Sequence, residues 1–362
     1  MATPIGPTAT NPPNAPPPAG RPQPMVVHLV QRSWAGRLFG WLGWMGFVFC
    51  LIALFGIMAR FQDYFDTTPG LEEKFHSGEA FSTEKIAIIE IDGVIMEGDG
   101  FVKKQIDRIR KDDDVKAVLI RVNSPGGTVT GSDFIYHHLK KLREERNLPM
   151  VVSMGSMAAS GGYYVAMAVG GQEKSIYAEP TTTTGSIGVI IPHYDISGLL
   201  ADWNVKDDSI ATHPRKQMLS MTKPMSEEER QLIKEYIEDS FERFTSIVKE
   251  GRPAFSKDEA SLEALATGEV FTATQAKKNG LIDEIGFIED ALERLAEIAK
   301  LDLSETRVVK YEREVTLADV MGVGGSARAQ ANPLGELLEL ASPKAWYLAT
   351  SLPALITSRR AD

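Results

Sequence analysis

Pro149-Met150-Val151-Val152-Ser153-Met154-Gly155-Ser156-Met157-Ala158-Ala159-Ser160-Gly161-Gly162-Tyr163-Tyr164 decides the fold. Pro149 to Met154 reads as a short buried strand, and Tyr163 to Val169 as an apolar helix, so Ser160 stands at an abrupt strand-to-helix turn. Such a turn presents a hydroxyl, and Gly161-Gly162 let the backbone approach whatever docks there. Two readings stay open from these residues alone: a nucleophile, or a joint where small residues let two elements pack closely.

On the N-terminal side, Ile86 to Ile91 and Val115 to Val122 are β-branched runs with the character of strands buried on both faces. Helical patterns fall at about 101–111 and 130–146, with longer ones at about 226–250 and 286–300. Strands alternating with helices predict an α/β domain with one principal core.

At 362 residues and 43% apolar content the chain can build that core without a metal or disulfide staple. A net charge of −10 without clustered Lys and Arg argues against a nucleic-acid partner. The single cysteine, Cys50, lies in an apolar run, which excludes an intramolecular disulfide, cysteine catalysis and a Cys-rich metal site. No cofactor is expected.

The first 25 residues are rich in Pro, Ala, Thr and Asn, and a disordered tail over 1–37 is expected. Leu38 to Met58 carries no charge. At about 1.5 Å per residue that stretch spans roughly 31 Å, the thickness of a bilayer core. A retained transmembrane helix over 38–59 fits better than a cleaved signal, because the run exceeds a typical signal core and no small-x-small site comes after it. Arg21, Arg32 and Arg37 precede it, while Asp63, Asp66, Glu72 and Glu73 lie beyond it, so the positive-inside rule places the N-terminus in the cytoplasm. Everything after a linker over 60–83 is then expected outside. Past residue 300 comes an extension, with a loose stretch over 322–331 and an interrupted apolar segment, Leu334 to Ile356, expected to form a helix packed on the domain.

A serine hydroxyl needs a base within hydrogen-bond reach and donors for the oxyanion formed on attack. Asn123-Ser124-Pro125-Gly126-Gly127 joins a strand to a helix, so its glycines can turn N–H groups outward. Among the histidines, His137 and His138 sit in a charged helix and read as a solvated face, His213 has no motif, and His193 comes after a strand-like run. A lysine is the other option, provided burial lowers a pKa near 10.4 by about three units, worth about 4 kcal/mol. Composition does not say which lysine is buried.

Four motifs occur in order: Asn123 to Gly127, Met154 to Tyr164, Thr184-Gly185-Ser186-Ile187-Gly188-Val189, and Gln275-Ala276-Lys277 through Leu281-Ile282-Asp283-Glu284. Together, over residues 84–300, they resemble the signal peptide peptidase A family in its short single-domain form. The resemblance implies a fold like that of Clp-type peptidases and crotonases, built from repeated ββα units. It matches Ser160 to the nucleophile, Lys216 to the general base and Ser186 to the serine that orients the lysine amine. Lys206 and Lys223 are the neighbouring alternatives for the base. The backbone N–H of Gly126 or Gly127, with that of Gly161, would form the oxyanion hole. The resemblance further implies cleaved signal peptides as substrates and a homo-oligomeric ring, with apolar grooves favouring small or apolar side chains; whether each dyad is completed within one chain or across subunit contacts stays open at this point. Three other readings compete: a Ser-His-Asp peptidase, which meets Ser186 where its histidine would stand, a crotonase-like acyl-CoA enzyme, and a catalytically silent membrane scaffold.

Overall fold

The structure, a computed structural model, describes residues 34–65, 70–314 and 345–348. Helix α1 (Trp34–Phe65) forms one unit and the chain from Asp66 forms a second. Within α1, Phe39–Met58 is long and apolar enough to cross a membrane, and its side chains are exposed. The expected tail up to residue 33 and the loose stretch 322–331 lie outside the described residues.

The second unit opens with β1 (Leu71–Gly78), β2 (Lys85–Asp92), α2 (Phe101–Lys111), β3 (Val115–Ser124) and β4 (Gly126–Thr128). It continues through α3 (Val129–Arg146), β5 (Met150–Ala159), α4 (Gly161–Ala166), β6 (Ile176–Ala178), β7 (Thr183–Gly185) and α5 (Ser197–Asp202). Then come α6 (Glu227–Gly251), α7 (Ala254–Lys257), α8 (Glu259–Leu265) and β8 (Val270–Thr272). α9 (Ala273–Lys278), β9 (Glu284–Ile285), α10 (Ile288–Ala299), β10 (Arg307–Arg313) and β11 (Trp346–Leu348) complete it.

The chain is α/β. The central sheet runs in the order β1-β10-β2-β3-β5-β6-β9, with β7 and β8 branching from β5, and is parallel except for the antiparallel pairs β1–β10 and β7–β8. Ile86 to Ile89 of β2 and Ala117 to Ile120 of β3 are buried on both faces of the sheet, which is why these strands read as unbroken apolar runs. On one face α2, α3, α4 and α6 pack through Ile106, Ile109, Leu139, Tyr164 and Phe244. On the other, α10 packs through Ala291, Leu292 and Leu295. The sheet extends past residues 84–300 at both ends, because β1 and β10 belong to it.

Local chemistry fixes the helices. Thr128 caps α3 by accepting from the Gly131 N–H at 3.0 Å, and Asn147 ends that helix in the left-handed conformation at φ 49°. Ser226 and Glu229 form a reciprocal capping box at the start of α6. Gln105, fully buried on α2, exchanges two 3.0 Å hydrogen bonds with the Glu90 backbone and so leaves no orphan amide in the core.

One expectation fails at the C-terminal end. Where the Leu334 to Ile356 segment is described, Trp346–Leu348 is a strand, not a helix, and it pairs antiparallel with β4. The aromatic pair Trp346-Tyr347 suits a pleated surface, and the edge of β4 offers backbone groups that a helix could not pair with.

Candidate active site

The site is built where β5 changes partners. Val152 to Met154 pair with β6, whereas Met157 to Ala159 pair with β7. Between them the register against β3 shifts, with Val122 opposite Met154 and Ser124 opposite Ala158, so residues 155–157 bulge. A bulge bends a strand and re-aims the residues beyond it. Ser160 stands just past this bend, at φ 54° and ψ −116°, as the N-cap of α4.

A left-handed φ at a non-glycine residue is strained by roughly 1–2 kcal/mol. The surroundings hold it: the Ser160 N–H donates to Gly185 O at 2.7 Å, and Ser160 O accepts from the Tyr164 N–H at 2.8 Å. Ser160 is 1% exposed, and its Oγ meets no hydrogen-bond partner among the described residues. A buried, unpartnered hydroxyl is costly unless chemistry uses it.

Ser186 lies beside it, 5% exposed, because Ala159 and Gly185 are paired in the β5–β7 ladder and each serine is the next residue. The glycine turn also converges here. Gly126 has φ 101°, and a Cβ on it would come within 2.7 Å of Gly161 N and 2.0 Å of Tyr347 O. A Cβ on Gly161 would stand 2.4 Å from Ser132 Oγ and 3.1 Å from Gly127 N. The Gly126 N–H is already committed to Ser124 Oγ at 3.1 Å, and that hydroxyl donates to Gly93 O at 2.6 Å.

The expected base is placed elsewhere. Every residue from 201 to 216 is exposed, including Lys206 and Lys216. Lys216 sits on a short 3-10 turn, Pro214–Gln217, capped by His213 Nδ1 accepting from the Arg215 N–H at 3.1 Å. Since Ser160 Oγ has no described partner, Lys216 makes no hydrogen bond to it. Lys223 is tied to Glu229 in a 3.0 Å ion pair. His193 bonds Ser220 O at 3.2 Å. His138 packs on Phe134, and burial, with the Lys103 charge second, pushes its imidazole down to about 4. The structure therefore joins Ser160, Ser186, Gly126, Gly127 and Gly161, and leaves Lys216 on an exposed arm.

Two features had no clear signal in the sequence. Asp133 Oδ1 accepts from Tyr164 OH at 2.5 Å and from Arg243 at 3.0 and 3.2 Å, bracing the helix that starts at Ser160. The fourth motif is scaffold: Thr272 and Gln275 cap α9, while Asp283 accepts from the Ser175 and Ile176 N–H groups and from Arg252. Among the described residues, no group of three His, Cys, Asp or Glu side chains is placed to hold a metal ion.

The pattern of Peptidase family S49 matches residues 142–302. The chain is 36% identical over 250 residues to an Enterococcus faecium protein named as a signal peptide peptidase SppA, covering 66% of this chain and 70% of that one. It is 36% identical over 254 residues to Protease 4 of Salmonella typhi, covering 67% of this chain but only 39% of the longer relative. The serine protease SPPA of the Arabidopsis thaliana chloroplast is 29% identical over 283 residues, across 74% of this chain and 40% of that protein.

Proposed function

Because the chain belongs to peptidase family S49, and is a serine-type peptidase, we propose that Ser160 is its nucleophile and Lys216 its general base. The observation that carries this reading is the buried Ser160 Oγ, unpartnered at a strained turn, with Ser186 and the glycine turn beside it. The Lys216 amine takes the Ser160 proton as Oγ attacks the peptide carbonyl. The carbonyl oxygen becomes an oxyanion held by the backbone N–H of Gly161 together with that of Gly126 or Gly127. The resulting ammonium gives its proton to the leaving amine, and water then hydrolyses the acyl-enzyme by the reverse path. Ser186 orients the amine.

The exposed arm supports delivery of Lys216 by a neighbouring copy in a homo-oligomeric ring. Tyr194, Leu199, Trp203, Val205 and Ile210 leave large apolar surfaces uncovered on that arm, Ile210 completely. Phe39–Met58 anchors the chain as a single span, with its N-terminus in the cytoplasm and the peptidase unit outside. The Enterococcus relative's name gives signal peptides as what it acts on, and apolar signal peptides left at such a membrane after cleavage are the substrates proposed for this chain.

Labelling with a fluorophosphonate probe tests the reading. Mass spectrometry should place the adduct on Ser160 and find none in Lys216→Ala. Full peptidase activity in both Ser160→Ala and Lys216→Ala would overturn it.

A further inference from the structure

Strand β5 carries two extra residues in the step before Ser160. Between Val122 and Ser124 on β3, the partner on β5 passes from Met154 to Ala158, and Gly155 and Ser156 pair with no neighbouring strand. A bulge leaves backbone groups outside the ladder, and a buried carbonyl there needs a donor from somewhere else. The turn between β6 and β7 supplies it. Thr182, 1% exposed, donates its hydroxyl to Gly155 O at 2.6 Å, and the Glu179 N–H donates to Met154 O at 3.2 Å. Thr184, fully buried on β7, donates its hydroxyl to Ala158 O at 2.7 Å.

Other groups hold the same bulge. Arg121 lies against Gly155, where an added Cβ would come within 3.1 Å of its guanidinium. That guanidinium donates to Ser153 Oγ at 2.8 Å and to Glu179 at 2.5 Å. Glu179 is thus tied to β5 by its backbone and to the arginine beside the bulge by its carboxylate, while its carbonyl accepts from the Thr182 N–H at 3.0 Å and closes the turn. On the exposed side, Ser156 Oγ donates to Asn123 Oδ1 at 2.6 Å, and Asn123 is the residue before the Ser124-Pro125-Gly126-Gly127 turn. The bulge therefore has three tethers: to the strand that ends at Ser186, to β3, and to the start of the glycine turn. Because side chains alternate along a strand, a slip of the bulge by one residue would turn Ser160 to the other face.

Resting on the reading of Ser160 as nucleophile, we infer that Thr182, with Arg121 and Glu179 behind it, is a positioning residue of the peptidase reaction: its hydroxyl on Gly155 O fixes the bend in β5 and thereby the aim of Ser160. The bend decides where β5 leaves β6 for β7, so a single point sets both Ser160 and its ladder neighbour Ser186. Thr182 is buried with its hydroxyl committed to β5, so it acts on the chemical step through the backbone and not on the binding of a peptide.

The test uses the full chain in detergent, a quenched apolar peptide and a fluorophosphonate probe. Thr182→Val keeps the shape of the side chain and removes the donor, whereas Thr182→Ser keeps the donor. In Thr182→Val the expected kcat per folded enzyme falls about 10–100-fold with KM within about twofold, and the labelling rate at Ser160 falls by the same factor. Thr182→Ser, with the hydrogen bond retained, recovers kcat to within about threefold of the wild type. A role in stability alone would lower the urea midpoint of Thr182→Val and leave turnover and labelling of the folded protein unchanged. That result overturns the proposal, as does a change confined to KM. Should Thr182→Val not fold, Glu179→Ala reads the same device, because it frees Arg121 and spares the backbone bonds of the turn. Its kcat falls about 3–10-fold at constant KM, and wild-type kcat overturns the proposal while leaving Ser160 as nucleophile. Full turnover in Ser160→Ala, or an adduct on another residue of the wild type, overturns the nucleophile instead.

Discussion

Ser160 and Ser186 are structural twins: each is the first residue past adjacent parallel strands, each has a left-handed backbone at φ 54° and 51°, and the residues before them are ladder partners. The ladder, not side-chain packing, sets their separation. Two serines thereby stand at neighbouring strand ends of one sheet.

Strain at Ser160 is separable from chemistry. Replacing it with glycine removes the Cβ that makes φ 54° costly, so Ser160→Gly should gain up to about 1 kcal/mol of stability while losing peptidase activity. Urea midpoints beside peptide turnover measure both; a loss of stability would show that Ser160 is not strained.

Gly161 has no room to grow. Its added Cβ would meet Ser132 Oγ at 2.4 Å and the Gly126 backbone at 3.1 Å. Gly161→Ala should cost about 1–3 kcal/mol and, by moving the proposed oxyanion donor, lower kcat by about 100-fold or more. Ser132→Ala in the same chain should recover part of the stability, read as a double-mutant cycle.

Arg252 and Asp283 form a largely buried ion pair at 2.7 Å, and the same carboxylate holds the backbone at the start of β6. Asp283→Ala should destabilise by about 3–5 kcal/mol, because it strands the Arg252 charge and two N–H groups. Active enzyme that survives should keep an unchanged KM, which marks the fourth motif as scaffold.

Asp112 links stability to pH. Burial pushes its carboxyl up, but the Lys85 ammonium and the Asp114 N–H outweigh that and hold it below the ordinary value. A depressed carboxylate stabilises above its unfolded pKa of about 3.9, and the contribution is lost as pH falls through the folded value. The stability gap between the wild type and Asp112→Asn should be constant from about pH 6 to 8 and close below about pH 4. Lys85, raised by Asp112 and Glu73 against its own burial, gives the mirror image. The gap to Lys85→Met should be full below about pH 10 and close as pH rises through the raised value.

Much of the central architecture was legible because its signals are periodic. The apolar runs at Ile86 and Val115 are buried strands, and α2 lies at the expected 101–111. The Leu38–Met58 run is met by the apolar helix segment Phe39–Met58. The edges were not legible. β1 reads Leu-Glu-Glu-Lys-Phe-His-Ser-Gly, whose charges mask a strand that needs only one covered side, and β7 and β8 are three residues long. The turn at Ser160 could be seen in its small residues, whereas its adjacency to Ser186 depends on which strands pair. The position of Lys216 was invisible for another reason: an exposed arm carries no burial pattern to read.

The strand clasped between Gly126–Thr128 and Ile190 is delivered by the chain itself. A segment held by its own chain has an effective concentration fixed by the tether, which dilution does not lower. The pairing of Trp346–Leu348 with the glycine turn is therefore insensitive to protein concentration.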